Sequence, residues 1–347
     1  MIRVLVSACA HYLYPTELHE GYFIIGDGTT LSIPPKFPFA SEWGACISNN
    51  IPLNENTGIP VEFRAIWLSI IEHKFYITAL DFPVSQMKFV WESCNHDGEP
   101  YFSHINFGMG PYGFYVLWFY GLKKSIVIAI DTADETSIEM RQFLPQVSDT
   151  SLYEYCNCQI KNLKKSNPHL IQCGLPPRNL FDNYMKQFSY RYLVLFEKWR
   201  KDEEEWEKYA DNENVPVFDF IEESLFDGTH DKLHDGGLMK YHQAGKPKKL
   251  RVEWHIGKSE YSAYFWFEDE RIREVFDKFY GAHPETKTDF IIRIDAEKRK
   301  YELALYRYGL KEPQVIPEDV YQLLVFKNKF EDYRSDNYNQ ERGAWIW

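Results

Sequence analysis

The same unit is written twice in this chain, and the duplication constrains the fold more than any other feature. Tyr120-Gly121-Leu122-Lys123 recurs as Tyr308-Gly309-Leu310-Lys311. Phe102 precedes Gly121 by 19 positions, and Phe290 precedes Gly309 by the same 19. The stretch ending in Trp67 (Phe63-Arg64-Ala65-Ile66-Trp67) is echoed by Leu250-Arg251-Val252-Glu253-Trp254, and Asp27-Gly28-Thr29 by Asp227-Gly228-Thr229. A chain of 347 residues is long enough for two such units, each with its own core.

Local pattern gives each unit the same content. Met87, Val90, Trp91 and Cys94 fall at i, i+3, i+4, i+7, and Ile272, Val275, Phe276 and Phe279 repeat that spacing. An apolar stripe of this period is one face of a helix. Pro83 ahead of the first stripe suits a helix's first turn. β-branched and aromatic runs bounded by turn residues predict strands over 3–9, 21–26, 62–69, 74–82, 101–107, 114–120 and 125–130. Their counterparts are 289–294, 301–308 and 314–316. The segment 190–199 is predicted as a strand because the first unit also opens with one. Pro34, Pro35 and Pro38 make 33–39 an ordered loop. Helices do not alternate with strands, so the expected class is α+β: two similar units, each a mainly antiparallel β-sheet with one helix packed on a face. The first unit is expected over 1–150, a linker with one short helix over 151–188, and the second unit with an extended arm over 189–347.

Charge and cysteine usage narrow the function. The net charge is −12. That disfavours a diffuse phosphate-binding surface, so no nucleic-acid partner is expected. All six cysteines lie in the first half, an arrangement unlike a disulfide framework shared by two units. Reduced thiols and a cytoplasmic location follow. Val6-Ser7-Ala8-Cys9 is shaped like a lipoprotein cleavage box, yet only five residues precede it, too few for an apolar leader core. No stretch approaches the length of a membrane span.

Catalytic patterns are sparse. The densest polar cluster is Asp227 to Gly237, in which His230, Asp231, His234 and Asp235 are the residue types that ligate zinc. Flanking glycines favour a loop without metal, and the first unit has no histidine there. There is no G-x-S-x-G elbow, and the glycines of 108–113 lack the lysine and helix of a phosphate loop. No cofactor and no catalytic set are expected.

Tyr14-Pro15-Thr16-Glu17, Gly21-Tyr22, Trp43-Gly44, Ile66-Trp67-Leu68-Ser69, Glu72-His73-Lys74-Phe75-Tyr76 and the stretch 108–121 carry a resemblance over about residues 3–130. In order and spacing they resemble the bacterial domain-of-unknown-function family numbered 2931. The resemblance implies no catalytic residues.

Aromatics make up 17% of the chain, a surplus over core needs that suits interfaces. The expectation is a non-enzymatic protein-binding module, most concretely an immunity-type inhibitor occluding a bacterial toxin, with a protein partner that is basic to match the acidic chain. Its contact patches are expected in loop 33–43 (Phe37, Phe39, Glu42, Trp43) and in the tail (Tyr333, Tyr338, Trp345, Trp347). The alternative is an enzyme or small-ligand-binding protein with a site between the two repeats.

Overall fold

The computed structural model describes residues 3–34, 38–39, 43–44, 58–94, 102–121, 124–147, 149–166, 174–196, 216–234, 240–295 and 300–329. The chain divides into two compact units, Met1–Asn183 and Tyr184–Trp347.

The first unit contains two sheets. One runs in the order β1 (Arg3–Ala10), β7 (Phe102–Met109), β8 (Phe114–Tyr120), β9 (Ser125–Thr132). The other runs β10 (Asp134–Thr136), β6 (Lys74–Asp81), β5 (Pro60–Ser69), β2 (Thr16–Ile25), β3 (Thr30–Ser32), with β4 (Pro38–Phe39) pairing β2. All pairings are antiparallel except β1 with β7. The helix α1 (Val84–Cys94) starts after Pro83, whose carbonyl accepts from Met87 N at 3.1 Å.

The second unit repeats this plan strand for strand. Its first sheet is β11 (Phe188–Phe196), β17 (Thr288–Asp295), β18 (Lys300–Tyr306), β19 (Gln314–Val315), with β14 (His242–Ala244) added at the β11 edge. Its second is β20 (Tyr321–Lys329), β16 (Ser259–Phe267), β15 (Pro247–Ile256), β12 (Pro216–Leu225), β13 (His230–Leu233). β11 and β17 are again parallel. The irregularities are duplicated as well. The register of β2 on β5 shifts at Leu18/Glu20 and Ile24/Ile25, and that of β12 on β15 at Phe218/Phe220 and Ser224/Leu225. In both units an Asp-Gly-Thr turn follows. Thr29 N donates to Asp27 Oδ1 at 2.8 Å and Thr229 N to Asp227 Oδ1 at 2.9 Å. The middle residue has φ 87° at Gly28 and 86° at Gly228, a backbone region that favours glycine. Side-chain capping with glycine in the left-handed region explains why this tripeptide survives in both copies.

Each core is filled by aromatic side chains from both sheets of its unit. Trp67 lies edge-on to Phe107 and Tyr115 at 5.4 and 6.3 Å, and Trp254 meets Phe196 and Tyr301 at 6.2 and 6.3 Å. Trp67, Trp254, Met87, Val90, Ile272 and Phe276 are buried, whereas Trp91 and Val275 are half-buried. Trp91 packs against Phe119 at 5.7 Å, and Phe276 against Phe188 at 5.1 Å. The helix of the second unit, α5 (Asp269–Tyr280), carries Asp269 and Glu270 in its first turn, where the helix dipole favours acids.

Four sequence expectations change. Each unit holds two sheets rather than one, because its opening strand pairs in parallel with a strand about 100 residues on, a contact local periodicity cannot reveal. The expected linker carries more than one short helix, the 15-residue α3 (Leu152–Ser166) and α4 (Leu180–Met185), and α2 (Met140–Phe143) lies ahead of it. Residues 230–233 form a strand rather than a loop, because they pair with β12. The equal Phe-to-Gly spacing does not mark equivalent residues either. Phe290 lies opposite Leu305 as Ile105 lies opposite Phe119, so Ile105, not Phe102, is its counterpart. The repeated Tyr-Gly-Leu-Lys does follow equivalent strands, but Tyr120 is buried within β8 whereas Tyr308 is fully exposed beyond β18.

Among the described residues, no helix is long and apolar enough to cross a membrane. Among the described residues, Cys9, Cys94 and Cys156 are buried, Cys158 is exposed, and none of the four is in a disulfide.

Candidate functional site

Two copies of one fold allow a residue-by-residue comparison through strand register. Positions where one unit departs in chemistry from the other are where a specific role can reside. The second unit departs in two places, on the outer face of one sheet and inside its core.

The outer face belongs to the sheet β13-β12-β15-β16-β20. In the first unit, Glu62 lies opposite Asp81 and Arg64 opposite Ala79. At the same places in the second unit, Lys249 lies opposite Trp266 and Arg251 opposite Tyr264. Glu20, opposite Ile66, is replaced by Phe220, opposite Glu253. The result is a band of alternating rings and cations. Lys232 Nζ stands 3.6 Å from the Phe220 ring centre. The Arg251 guanidinium lies 5.5 Å from Phe220 and 5.6 Å from Tyr264. Lys249 Nζ lies 5.3 Å from Tyr264 and 5.6 Å from Trp266. Tyr264 stacks on Trp266 at 5.5 Å and meets Phe326 of β20 edge-on at 5.6 Å. Trp266 is 37% exposed. Arg251 also pairs with Glu222 at 3.2 Å and with Glu253. Strand alternation places all of these on one face, with Ile221, Leu250, Val252, Ala263 and Phe265 turned into the core.

Inside the second unit, four apolar positions of the first have become polar. Val4 and Val6 on β1 correspond to Tyr190 and Tyr192 on β11, and Phe23 on β2 to Glu223 on β12. Ile59, whose carbonyl accepts from Gly26 N, corresponds to Lys246, whose carbonyl accepts from Phe226 N. Tyr192 Oη donates to Glu223 Oε2 at 2.6 Å, and His242 Nε2 lies 3.6 Å from Glu223 Oε1. Tyr190 Oη donates to the Gly245 carbonyl at 2.8 Å, and Gln187 Nε2 to Asp227 Oδ2 at 2.7 Å. Burial raises both tyrosines well above their ordinary value, and it raises Asp227 against the pull of Thr229 and Gln187. For His242, burial works downward, but the Glu223 carboxylate beside it carries the group above its usual range. Burial lowers Lys246 to about 8, against the nearby Asp277 and Asp269 charges. Buried carboxylates, phenols and an imidazole in contact can pass a proton among themselves, but their hydrogen bonds are largely made to one another.

A third polar group lies in the first unit. Ser7 Oγ donates to Asn106 Oδ1 at 2.7 Å and sits 2.6 Å from His104 Nε2, and Asn106 Nδ2 donates to Cys9 Sγ at 3.3 Å. Burial lowers His104 to about 4, so its ring is neutral. This contact has no local signature in the chain, since Ser7 and His104 meet only through the parallel register of β1 and β7.

The expected contact residues fare differently. Phe37, Glu42, Tyr333, Tyr338, Trp345, Trp347 and Asp235 lie outside the described residues. Phe39 pairs through its backbone with Thr16. Trp43 is buried, 4% exposed, against Trp118 at 5.1 Å and Phe181 at 5.0 Å, and the Gly44 carbonyl beside it accepts from Tyr120 Oη. It plugs the outer side of the β1-β7-β8-β9 sheet instead of offering a contact. Of the weaker metal candidates, His230 and Asp231 lie on β13, where burial lowers His230, and His234 follows beside Phe220 at 5.9 Å. Four residues along a strand are separated by about 13 Å, too far for one ion. Among the described residues no group of three or more His, Cys, Asp or Glu could hold a metal ion. Sequence reasoning missed Phe220, Arg251, Tyr264 and Trp266. Only strand pairing sets Lys249 and Arg251 against the rings.

Comparison with curated proteins and with solved structures gives no match. A family model described as "Protein of unknown function (DUF2931)" matches residues 4–175. That span covers the first unit's two sheets, α1 and the helices α2 and α3. The first half of this chain is thus similar to the DUF2931 family, and the second half carries the same strand plan.

Proposed function

We propose that the chain is a non-enzymatic protein-binding module that docks its partner on the outer face of the second unit's β13-β12-β15-β16-β20 sheet. The observation that carries this reading is the Phe220–Arg251–Tyr264–Trp266 band, set on a fold whose other copy has Glu20, Arg64, Ala79 and Asp81 at the same places. Trp, Tyr and Arg concentrate binding energy at protein interfaces, and cross-strand packing holds these side chains in place before binding. The specific role is that of an immunity-type inhibitor, which silences a bacterial toxin by covering it with a surface of this kind. Free thiols suit work in the cytoplasm.

The test is affinity capture from the native lysate with the wild-type chain and with a Tyr264→Ala/Trp266→Ala double variant that retains the wild-type circular dichroism. A protein recovered by the first and lost by the second supports the reading, and protection of host cells by co-expression with that protein supports the immunity role. Identical captured sets with both chains would sink the proposed face.

The polar core network of the second unit favours a second reading, a small-ligand or catalytic role. It is the weaker one, because Tyr192, Tyr190 and Gln187 already spend their donors on Glu223, Gly245 and Asp227.

A further inference from the structure

We infer that the partner presents an acidic segment to this face, with carboxylates interleaved with aromatic or aliphatic side chains. This rests on the binding reading above and names the chemistry of its partner. The chain's net charge of −12 suggests the opposite, a basic partner. Local geometry outweighs that total, because charges beyond about 10 Å are screened at ordinary salt while those at the contact are not.

The three cations of the band are not equivalent. Arg251 is matched by Glu222 and Glu253. Lys232 and Lys249 are held over aromatic rings and have no ion pair among the described residues. A ring face steadies an ammonium without neutralising it. Lys249 therefore offers a positive charge, fixed between Tyr264 and Trp266, to whatever covers the sheet. A carboxylate arriving there forms a charge-assisted hydrogen bond with an ammonium held beside both rings. A basic group arriving there meets like charge at short range. Part of the departure from the first unit has the same sign: Glu62 and Asp81 have become Lys249 and Trp266, and Glu20 has become Phe220, while Tyr22 and Ile66 have become the Glu222 and Glu253 that Arg251 engages. Leu324 and Phe326 on β20, opposite Tyr264 and Ser262, extend the apolar part to the sheet edge. Nucleic acid would also bring anions and ring faces, so an oligonucleotide is one arm of the experiment.

The experiment uses fluorescence anisotropy with the full chain and three labelled probes: a peptide of repeating Glu-Glu-Tyr units, its Lys-Lys-Tyr counterpart, and oligodeoxythymidine of similar length. The expected result is saturable binding of the acidic peptide that weakens as salt rises. Lys249→Glu should weaken it about tenfold or more, and Lys249→Arg should preserve it. Tighter binding of the basic peptide or of the oligonucleotide would overturn the inference. So would failure of the acidic peptide to bind, or binding indifferent to Lys249→Glu. Captured protein separates this inference from the reading beneath it. If Tyr264→Ala/Trp266→Ala abolishes capture while Lys232→Glu and Lys249→Glu leave it unchanged, the face stands and the acidic partner falls. If the aromatic double variant still captures the protein, both fall.

Discussion

Lys246 offers a quantitative test of the second unit's polar core. Its side chain is 0% exposed, with Nζ 5.2 Å from the Phe188 ring centre, where the first unit places Ile59. Burial lowers its pKa from 10.5 to about 8. Between those values the unfolded chain holds a proton that the folded chain has released, so stability rises with pH across this window. The fall to about 8 corresponds to about 3 kcal/mol, a penalty present in full below pH 8 and relieved as pH approaches 10.5. The perturbation is Lys246→Ile, which restores the residue of the first unit and keeps the backbone hydrogen bond from Phe226. Urea unfolding at several pH values from 7 to 10.5 then gives the difference between variant and wild type. The buried tyrosines Tyr190, Tyr192 and Tyr280 titrate in the opposite sense above pH 10, but they are common to both chains and cancel. The variant should be the more stable at pH 7, and its advantage should shrink by about 3 kcal/mol toward pH 10.5. Loss of the ammonium beside Asp269 reduces the advantage at pH 7 without altering that trend. A difference independent of pH would refute the reasoning, since a lysine that stays charged in the fold carries no such penalty.

Other outcomes follow from the same packing. Phe276→Ala removes a ring that touches Phe188, Tyr190 and Tyr280 and should cost about 3–5 kcal/mol in chemical unfolding, with a loss under about 1 kcal/mol placing the helix off the core. Ser151→Ala should destabilise by about 1 kcal/mol, because Ser151 Oγ accepts from Glu154 N while Ser151 N donates to Glu154 Oε2 at the start of α3; an unchanged midpoint would deny that cap a role. Elemental analysis of the purified chain should find no stoichiometric metal, and His234→Ala should leave the metal content unchanged; near-equimolar zinc lost in that variant would reverse the metal assignment. His242→Gln should remove stability on the acid side, since a base whose folded pKa is raised stabilises fully below its ordinary value and loses that effect as pH rises through the folded one; equal losses at pH 5 and pH 8 would show that the Glu223 contact does not depend on charge.

Local features were legible in the chain, and contacts between distant strands were not. The stripes of α1 and α5 and the runs that became β5, β6, β8 and β18 could be read from period and turn chemistry, because those signals lie within a few residues. The pairing of β1 with β7 and of β11 with β17 joins segments separated by tens of residues with no repeating mark, so two sheets were taken for one. Trp43 read as a surface aromatic because Pro34, Pro35 and Pro38 mark a loop, and composition does not reveal that the loop folds a Trp back onto Trp118. The start of α3 has a local signature in the Ser151-Leu152-Tyr153-Glu154 capping box. The ring-and-cation face needed register, since Arg251 and Tyr264 are adjacent only once β15 and β16 are paired.

The claim that binding occurs on the second unit's outer sheet face is tested most directly by amide hydrogen exchange of the full chain with and without the captured protein. The account predicts added protection along β15, β16 and β20, in peptides containing Lys249, Arg251, Tyr264, Trp266 and Phe326, with the first unit's equivalent strands β5 and β6 unchanged. Protection confined to the first unit, with β16 and β20 exchanging as in the free chain, would contradict it.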